Sequence, residues 1–527
     1  MSKDSINPTK TSSWKKLQNH FNDIKEIPIN NFFASDHNRA KKLSISLKNY
    51  FFDFSKHNIN EETISLFVDL LNEIDLKKSI KSYFAGDKIN LSENRAVLHT
   101  ALRTKKKEII VDGNNVVLDI KKVENQINSL TKKIINGSYR GFSGDKITDI
   151  VNVGIGGSDL GPAMVIDSLK HYRNHLNFHF INNVDGDYLH GILENIRPET
   201  TMFVIVSKSF NTVETLTNAT TIRNWFLQFT SNENISKHFI GSTSNVKKAK
   251  DFGLSDEKIF PFWDWVGGRF SLWSSAGISI NIAIGPENYQ NLLDGANYMD
   301  EHFKNEDFSK NIPVIAACLT IWYNNFFDYR SHAVIPYSEY LKNFPRFLQQ
   351  LSMESNGKQT DKSGKFLNYS TAPIIWGDTG TNAQHSFFQL LHQGKKVVPI
   401  DFIGFKESKK GDKKHQDILI ANMFAQSKAL MTGNINESKN NHKSFRGNRP
   451  STTILINNLN PFTLGSLISI YENKIFTLGV IWNILSFDQF GVELGKKVYS
   501  EIMKNIESGR IDDNDSSTTL LLKKYLS

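Results

Sequence analysis

The spacing of apolar positions changes near residue 140. Before about residue 110, apolar residues such as Leu66, Leu70, Leu71 and Ile74 recur at three- and four-residue intervals, which predicts helix. Beyond it, short β-branched runs alternate with segments of helical length. The runs at 150–153, 178–182, 202–206 and 238–241 read as strands. After a glycine-rich stretch over 267–295 the alternation resumes at 333–336, 373–376, 397–402 and 452–456. Short apolar strands separated by helices argue for parallel sheets covered on both faces. The recurrence points to two α/β units of related architecture, although eight strands also admit a single barrel. From Phe462 the pattern is helical again and ends in a polar tail (512–519) and Leu520–Leu522.

A chain of 527 residues is too long for one compact core. A hydrophobic content of 39% is that of an ordinary globular protein. The longest clean apolar run, Pro313 to Tyr323, falls short of a membrane span and reads as a buried element. Met1 to Lys16 is polar and lacks the apolar stretch of a secretory leader, so no membrane association is expected. The single cysteine, Cys318, lies inside the apolar run; it reads as an inert core thiol in a reducing cytoplasm. The formal charge of +9 raises the question of a nucleic-acid partner. Its basic clusters, 105–107 and 409–414, are short, sit beside Glu108, Glu407 and Asp412, and have no interleaved aromatics. They read as solvated loops, leaving a general bias toward small anions.

Two strand-to-turn segments suit such an anion. Val151 to Gly161 and Val204 to Thr215 each run from a β-branched stretch into glycines or hydroxyl residues and then into a helical pattern. That arrangement aims backbone N–H groups and the positive end of a helix dipole at a ligand. A dinucleotide is the obvious candidate, but Asp159 stands where the third glycine of G-x-G-x-x-G belongs, and an acid there repels a pyrophosphate. Asp185, placed to mimic the ribose-binding acid, is followed by Gly186 and Asp187 and reads as a turn. With no Walker lysine either, Gly157, Ser158, Ser207, Lys208, Ser209 and Thr212 remain as donors suited to a phosphate monoester.

Two further segments place titratable groups at helix ends. Phe344, Phe347, Leu348 and Leu351 form a helical stripe that Asn356-Gly357 terminates. Gln350 and Glu354 then share one face, with Glu354 in the last turn as a candidate general base. Thr381-Asn-Ala-Gln384 has the pattern of a capping box, which would set His385 in the first turn of the next helix, as a group able to take and give a proton near neutral pH. His392 reads as structural. Lys496 enters a helix after a polar loop and is locally indistinguishable from Lys497. The histidines are scattered, with no metal-ligating spacing and no G-x-S-x-G elbow.

Together these segments resemble the glucose-6-phosphate isomerase family. Asp264-Trp-Val-Gly-Gly-Arg-Phe-Ser-Leu-Trp-Ser-Ser-Ala-Gly277 is similar to one family signature, and Gly479 to Lys496, containing Phe487-Asp-Gln-Phe-Gly-Val-Glu493, to the other. Met353 to Lys358, Gly380 to Ser386, Gly154 to Gly161, Gly86 to Asn90 and Glu93 to His99 fit the same family in the same order. The resemblance implies an α/β fold of two SIS-type α/β/α sandwich domains with parallel sheets, a helical N-terminal segment and a C-terminal helical arm. The expected division is 113–286 for the smaller, cradle-bearing domain, 1–112 with 287–505 for the larger, and 506–527 for the arm. It further implies a cytoplasmic homodimer that interconverts glucose 6-phosphate and fructose 6-phosphate without cofactor or metal. Carried onto this chain, Ser158, Ser207, Lys208, Ser209 and Thr212 would hold the phosphate, with Gly157 beside them. His385, lent by the neighbouring subunit and assisted by Lys496, would open the ring. Glu354 would move the proton between C2 and C1, Arg269 would stabilise the developing negative oxygens, and Gln350 and Gln489 would orient hydroxyls. Ser209 and Asn211 depart from the threonines usual in the second cradle.

Overall fold

The computed structural model describes residues 6–434, 441–511 and 514–527. Residues 1–5 of the polar N-terminal stretch and 512–513 of the polar tail therefore lie outside the described residues. By its contacts the chain divides into Met1–Ser486 and Phe487–Ser527.

All eight expected strands form, in two sheets rather than a barrel. The five-stranded sheet is wholly parallel, in the order Asn177–Ile181, Asp149–Val153, Thr201–Val206, Phe239–Ser242 and Ile259–Phe260. Its central strand, Thr201–Val206, is buried at every position. Alternate residues explain this. Val151, Phe203, Ile205 and Phe239 pack with Leu189, Ala219, Ile222 and Phe226 from the following helices, while Ile150, Met202, Val204 and Ile240 are buried on the opposite face. A strand covered on both sides has no need of a polar face.

The second sheet corrects the sequence reading. Its parallel strands are Ser451–Ile456, Ile400–Phe405, Ser331–Pro336 and Ile374–Trp376, but Ser44–Leu47 and Tyr50–Lys56 extend it as an antiparallel hairpin. The N-terminal region is thus not purely helical. The overlooked signal is the run Tyr50-Phe51-Phe52-Asp53-Phe54, whose aromatic residues favour a pleated surface over a helix.

Two long helices brace this architecture. Pro461–Ile481 opens with a full capping box, in which Asn460 accepts from the Thr463 N–H at 2.9 Å and Thr463 Oγ1 accepts from the Asn460 N–H at 3.0 Å. It crosses Ile278–Asn305, which breaks at Gly285 (φ 80°) before Pro286. At the crossing a Cβ on Gly295 would collide with the Phe462 carbonyl, and one on Gly465 with the Leu292 carbonyl. Bare backbone lets the two helices approach this closely.

Deep between them lies a buried ionic cluster. Arg103 donates from Nε and Nη2 to the Asp300 carboxylate at 2.7 and 2.9 Å, and from Nη1 to Glu472 at 2.5 Å. The indole of Trp273 donates to the other Glu472 oxygen at 2.8 Å, and Asn473 donates to Asp300 at 3.0 Å. Cys318 is buried in helix Ile312–Ile321, and burial pushes its thiol pKa up, as expected of an inert core residue.

Candidate active site

The first cradle follows strand Asp149–Val153. Gly156 takes a positive φ of 63°, a short 3₁₀ turn covers Gly156–Ser158, and helix Leu160–Ser168 begins just beyond. A Cβ on Gly157 would collide with the Gly268 carbonyl, so the turn lies directly against the backbone preceding Arg269. Asn152 donates to the Ser158 carbonyl at 3.1 Å and fixes the turn from below. Asp159, the residue that breaks the dinucleotide fingerprint, is 3% exposed, accepts from Asn182 at 2.8 Å, and has its pKa raised by burial. Asp185 caps helix Gly186–Leu193 instead of facing a ribose.

The second cradle follows the neighbouring strand, in register with the first through Val153 and Ile205. Both turns therefore emerge at the carboxyl ends of adjacent parallel strands, where ligands bind in such sheets. Ser207 and Thr212 face each other, hydroxyl to hydroxyl, at 3.2 Å. The loop is anchored through the Lys208 carbonyl, which accepts from Thr243 Oγ1 at 2.9 Å and from Ser244 Oγ at 2.7 Å. Phe210 (φ 45°) is buried beneath it. Lys208 donates to the carbonyls of Asp264 and Val266, both at 3.0 Å, and burial lowers its pKa against the pull of Asp264. Ser209 is exposed at the tip.

Opposite the first cradle, helix Phe344–Gln349 runs into a π-turn, Gln350–Glu354, where the sequence led us to expect plain α-helix. Such a turn inserts one residue into the helical repeat and is frequent at functional sites. Gln350, Met353 and Glu354 line one wall of a cleft of about 590 Å³, and Ile155, Gly156 and Asp159 line the other. Glu354 retains 22% side-chain exposure, while the Arg269 guanidinium, 2% exposed, stands 3.5 Å from its Oε1. Arg269 donates from Nε to Ser355 Oγ and from Nη2 to the Ser486 carbonyl, both at 2.6 Å. Ser486 Oγ in turn donates to Asn356 Oδ1 at 2.6 Å, and Asn356 Nδ2 to the Ile475 carbonyl at 3.0 Å. A carboxylate open to a cleft and a fixed cation beside it can exchange a proton and stabilise charge that develops as it moves.

The structure thus brings the first cradle, Gln350, Glu354 and Arg269 together, with the second cradle on the adjoining strand. His385 differs from expectation. It closes a 3₁₀ turn, Asn382–His385, the Thr381 side chain makes no cap hydrogen bond, and the next helix starts only at Phe388. The imidazole is exposed and does not line the cleft. His392 accepts a structural role, pairing with Gln426 at 2.9 Å. In the second unit, Gln489 precedes the turn Phe490–Val492, and Lys496 is exposed on helix Glu493–Ser508. Sequence reasoning missed Ser355, Asn356 and Ser486, because nothing local distinguishes a buried serine that holds a guanidinium from one in an ordinary turn. Among the described residues no group of three or more His, Cys, Asp or Glu could hold a metal ion, and no helix is long and apolar enough to cross a membrane.

Comparison with known proteins places the chain in a family. The phosphoglucose isomerase family model matches residues 53–522. A glucose-6-phosphate isomerase of Christiangramia forsetii is 50% identical, covering 99% of each chain. The crystal structure of a glucose-6-phosphate isomerase from Chlamydia trachomatis superposes with a TM-score of 0.90 at 31% identity, over 99% of this chain and 100% of that one. A hypothetical protein from Thermus thermophilus shares the fold at a TM-score of 0.67 and 21% identity, over 86% of this chain and 99% of that one. The chain belongs to the phosphoglucose isomerase family.

Proposed function

We propose that this protein interconverts D-glucose 6-phosphate and D-fructose 6-phosphate by ring opening and proton transfer through a cis-enediol. The observation that carries this reading is the placement of Glu354 and Arg269, 3.5 Å apart, on a cleft whose far wall is the first phosphate cradle. Gly157 and Ser158, with Ser207, Lys208, Ser209 and Thr212, hold the phosphate. Gln350, on the same wall as Glu354, orients a sugar hydroxyl. Glu354 takes the proton from C2 and returns it to C1. Negative charge accumulates on O1 and O2 as it moves, and Arg269 stabilises it there; a preset guanidinium needs no reorganisation at that moment.

The ring-opening groups are assigned by their motifs. His385, with Lys496 assisting, passes a proton between the ring oxygen and the hydroxyl formed on opening, and Gln489 orients the sugar. The exposure of His385 and its absence from the cleft wall of its own chain support its donation to a second subunit in a cytoplasmic homodimer. The division into 113–286, 1–112 with 287–505, and 506–527 belongs to the same proposal, as does independence from any cofactor.

The decisive assay is coupled formation of glucose 6-phosphate from fructose 6-phosphate by purified protein without added metal or nucleotide. Absence of turnover sinks the activity. Shared sites are tested by mixing Glu354→Gln with His385→Ala subunits under exchange. Each hybrid dimer then holds one intact site, so activity returns where neither parent has any; silent hybrids mean that His385 serves its own chain.

A further inference from the structure

Arg269 is held by its neighbours more completely than a charge-stabilising group requires for simple burial. Its Nε donates to Ser355 Oγ and its Nη2 to the Ser486 carbonyl, each at 2.6 Å. Ser486 is tied back through its hydroxyl to Asn356, at 2.6 Å, and Asn356 is the chain neighbour of Ser355. The ring therefore closes on a single tripeptide, Glu354-Ser355-Asn356, whose first residue is the carboxylate facing Arg269. Ser355 and Asn356 are both fully buried, at 0% exposure. Asn356 is pinned further to the Ile475 carbonyl of the bracing helix. A Cβ on Gly479 would collide with Ser486 Oγ, so the glycine leaves room for that hydroxyl.

We propose that Ser355 is a positioning residue, whose hydroxyl sets the plane and reach of the Arg269 guanidinium relative to Glu354. This rests on the reading of Arg269 given above. A guanidinium is planar, and two donors on different nitrogens fix its plane. One anchor comes from the base's own chain neighbour, so Arg269 and Glu354 shift together when that segment moves. Their separation stays constant through substrate entry and release. The π-turn makes the coupling possible, because its extra residue carries Glu354 to the cleft while the next residue is turned inward.

The test is a double-mutant cycle of Ser355→Ala and Arg269→Lys, followed by kcat, KM and the affinity for an unreactive phosphorylated sugar alcohol. Ser355→Ala is expected to lower kcat about tenfold and leave KM and the alcohol's affinity within about twofold, since the arginine acts on charge that appears only in the transition state. In the Arg269→Lys background the same substitution is expected to cost less than about twofold, because coupled sites are non-additive. Ser355→Thr, which keeps the hydroxyl, is expected to recover most of the loss. An equal loss in both backgrounds, or a loss in alcohol affinity that matches the loss in kcat, overturns the proposal and leaves Ser355 a packing residue. Full activity in Arg269→Lys, which keeps the charge but not the plane, also overturns the proposal, whereas full activity in Arg269→Ala overturns the role of Arg269 itself, so the two failures are distinguishable. Variants that do not fold show it in far-UV circular dichroism and are replaced by Ser355→Cys, whose weak acceptor is expected to act like alanine.

Discussion

Two buried arginines, Arg103 and Arg269, meet carboxylates in opposite ways. Arg103 sits between Asp300 and Glu472 with all three side chains at most 2% exposed, and Asn473, Ser469 and Trp273 supply further hydrogen bonds. Arg269 is equally buried, but its carboxylate partner keeps 22% exposure, stands at 3.5 Å, and lines a cleft. The first, buried on every side, ties the segment before residue 110 to two long helices. In the second, the carboxylate alone stays open to the cleft. An ion cluster buried on every side holds a fold in register, whereas one whose carboxylate faces a cleft is free to act on a ligand.

The contrast can be broken at either end. The largest expected effect is on rate. Glu354→Gln should lower kcat by about 10³-fold, within the range for loss of a general base, and abolish deuterium exchange at C2 while substrate-analogue binding survives. Unchanged turnover would mean that the base is misassigned. Arg103→Ala should act on stability instead, costing about 3–5 kcal/mol in denaturant unfolding, because it strands two buried carboxylates. The folded fraction of that variant should turn over at nearly the normal rate; a rate loss as deep as that of Glu354→Gln would erase the distinction between the two clusters.

Acid sharpens the same comparison. His57 is fully buried between Tyr323 (3.1 Å) and Thr452 (2.9 Å), and burial holds its pKa down to about 3. The unfolded chain binds this proton below about pH 6.5 and the folded chain does not, so stability is lost as pH falls from there toward 3. That amounts to about 2 kcal/mol between pH 7 and pH 5 from this one group. Burial lowers His99, His238 and His302 as well, which steepens the decline. Denaturant melts across that range should show it, and His57→Gln should flatten the slope by its share; an unaltered slope would place the acid sensitivity elsewhere. The smallest effect belongs to the cradle tip. Ser209→Thr keeps the hydroxyl at an exposed position and should change KM by no more than about fourfold, the worth of one methyl group.

What the sequence disclosed follows from how local each signal is. The cradles were legible because strand, turn and helix onset lie within a dozen residues, and every predicted strand formed because parallel strands are apolar throughout. The hairpin at 44–56 was not, since its pairing partner, Ser451–Ile456, is remote and its short strands flank a two-residue turn at Lys48-Asn49. The π-turn at Gln350–Glu354 has no sequence signature, because the extra residue is accommodated by packing. The capping box proposed at Thr381 matched the pattern but not the backbone, which takes a 3₁₀ turn there. The partners of Arg269 were invisible for another reason: Ser355 and Ser486 meet it only after the chain has folded back on itself.

That remote pairing of Tyr50–Lys56 with Ser451–Ile456 bears on how the protein is born. A ribosome adding about 5–20 residues per second needs roughly 20–80 s between the two strands. Throughout that interval the Tyr50–Lys56 edge of the aromatic hairpin stays open, while the parallel sheet at 149–260 gains its last strand about halfway through. The cradle-bearing half can therefore fold early in synthesis, but the half that carries Glu354 completes its sheet only once Ser451–Ile456 has been added, and it is the early hairpin that a nascent-chain chaperone has most reason to cover.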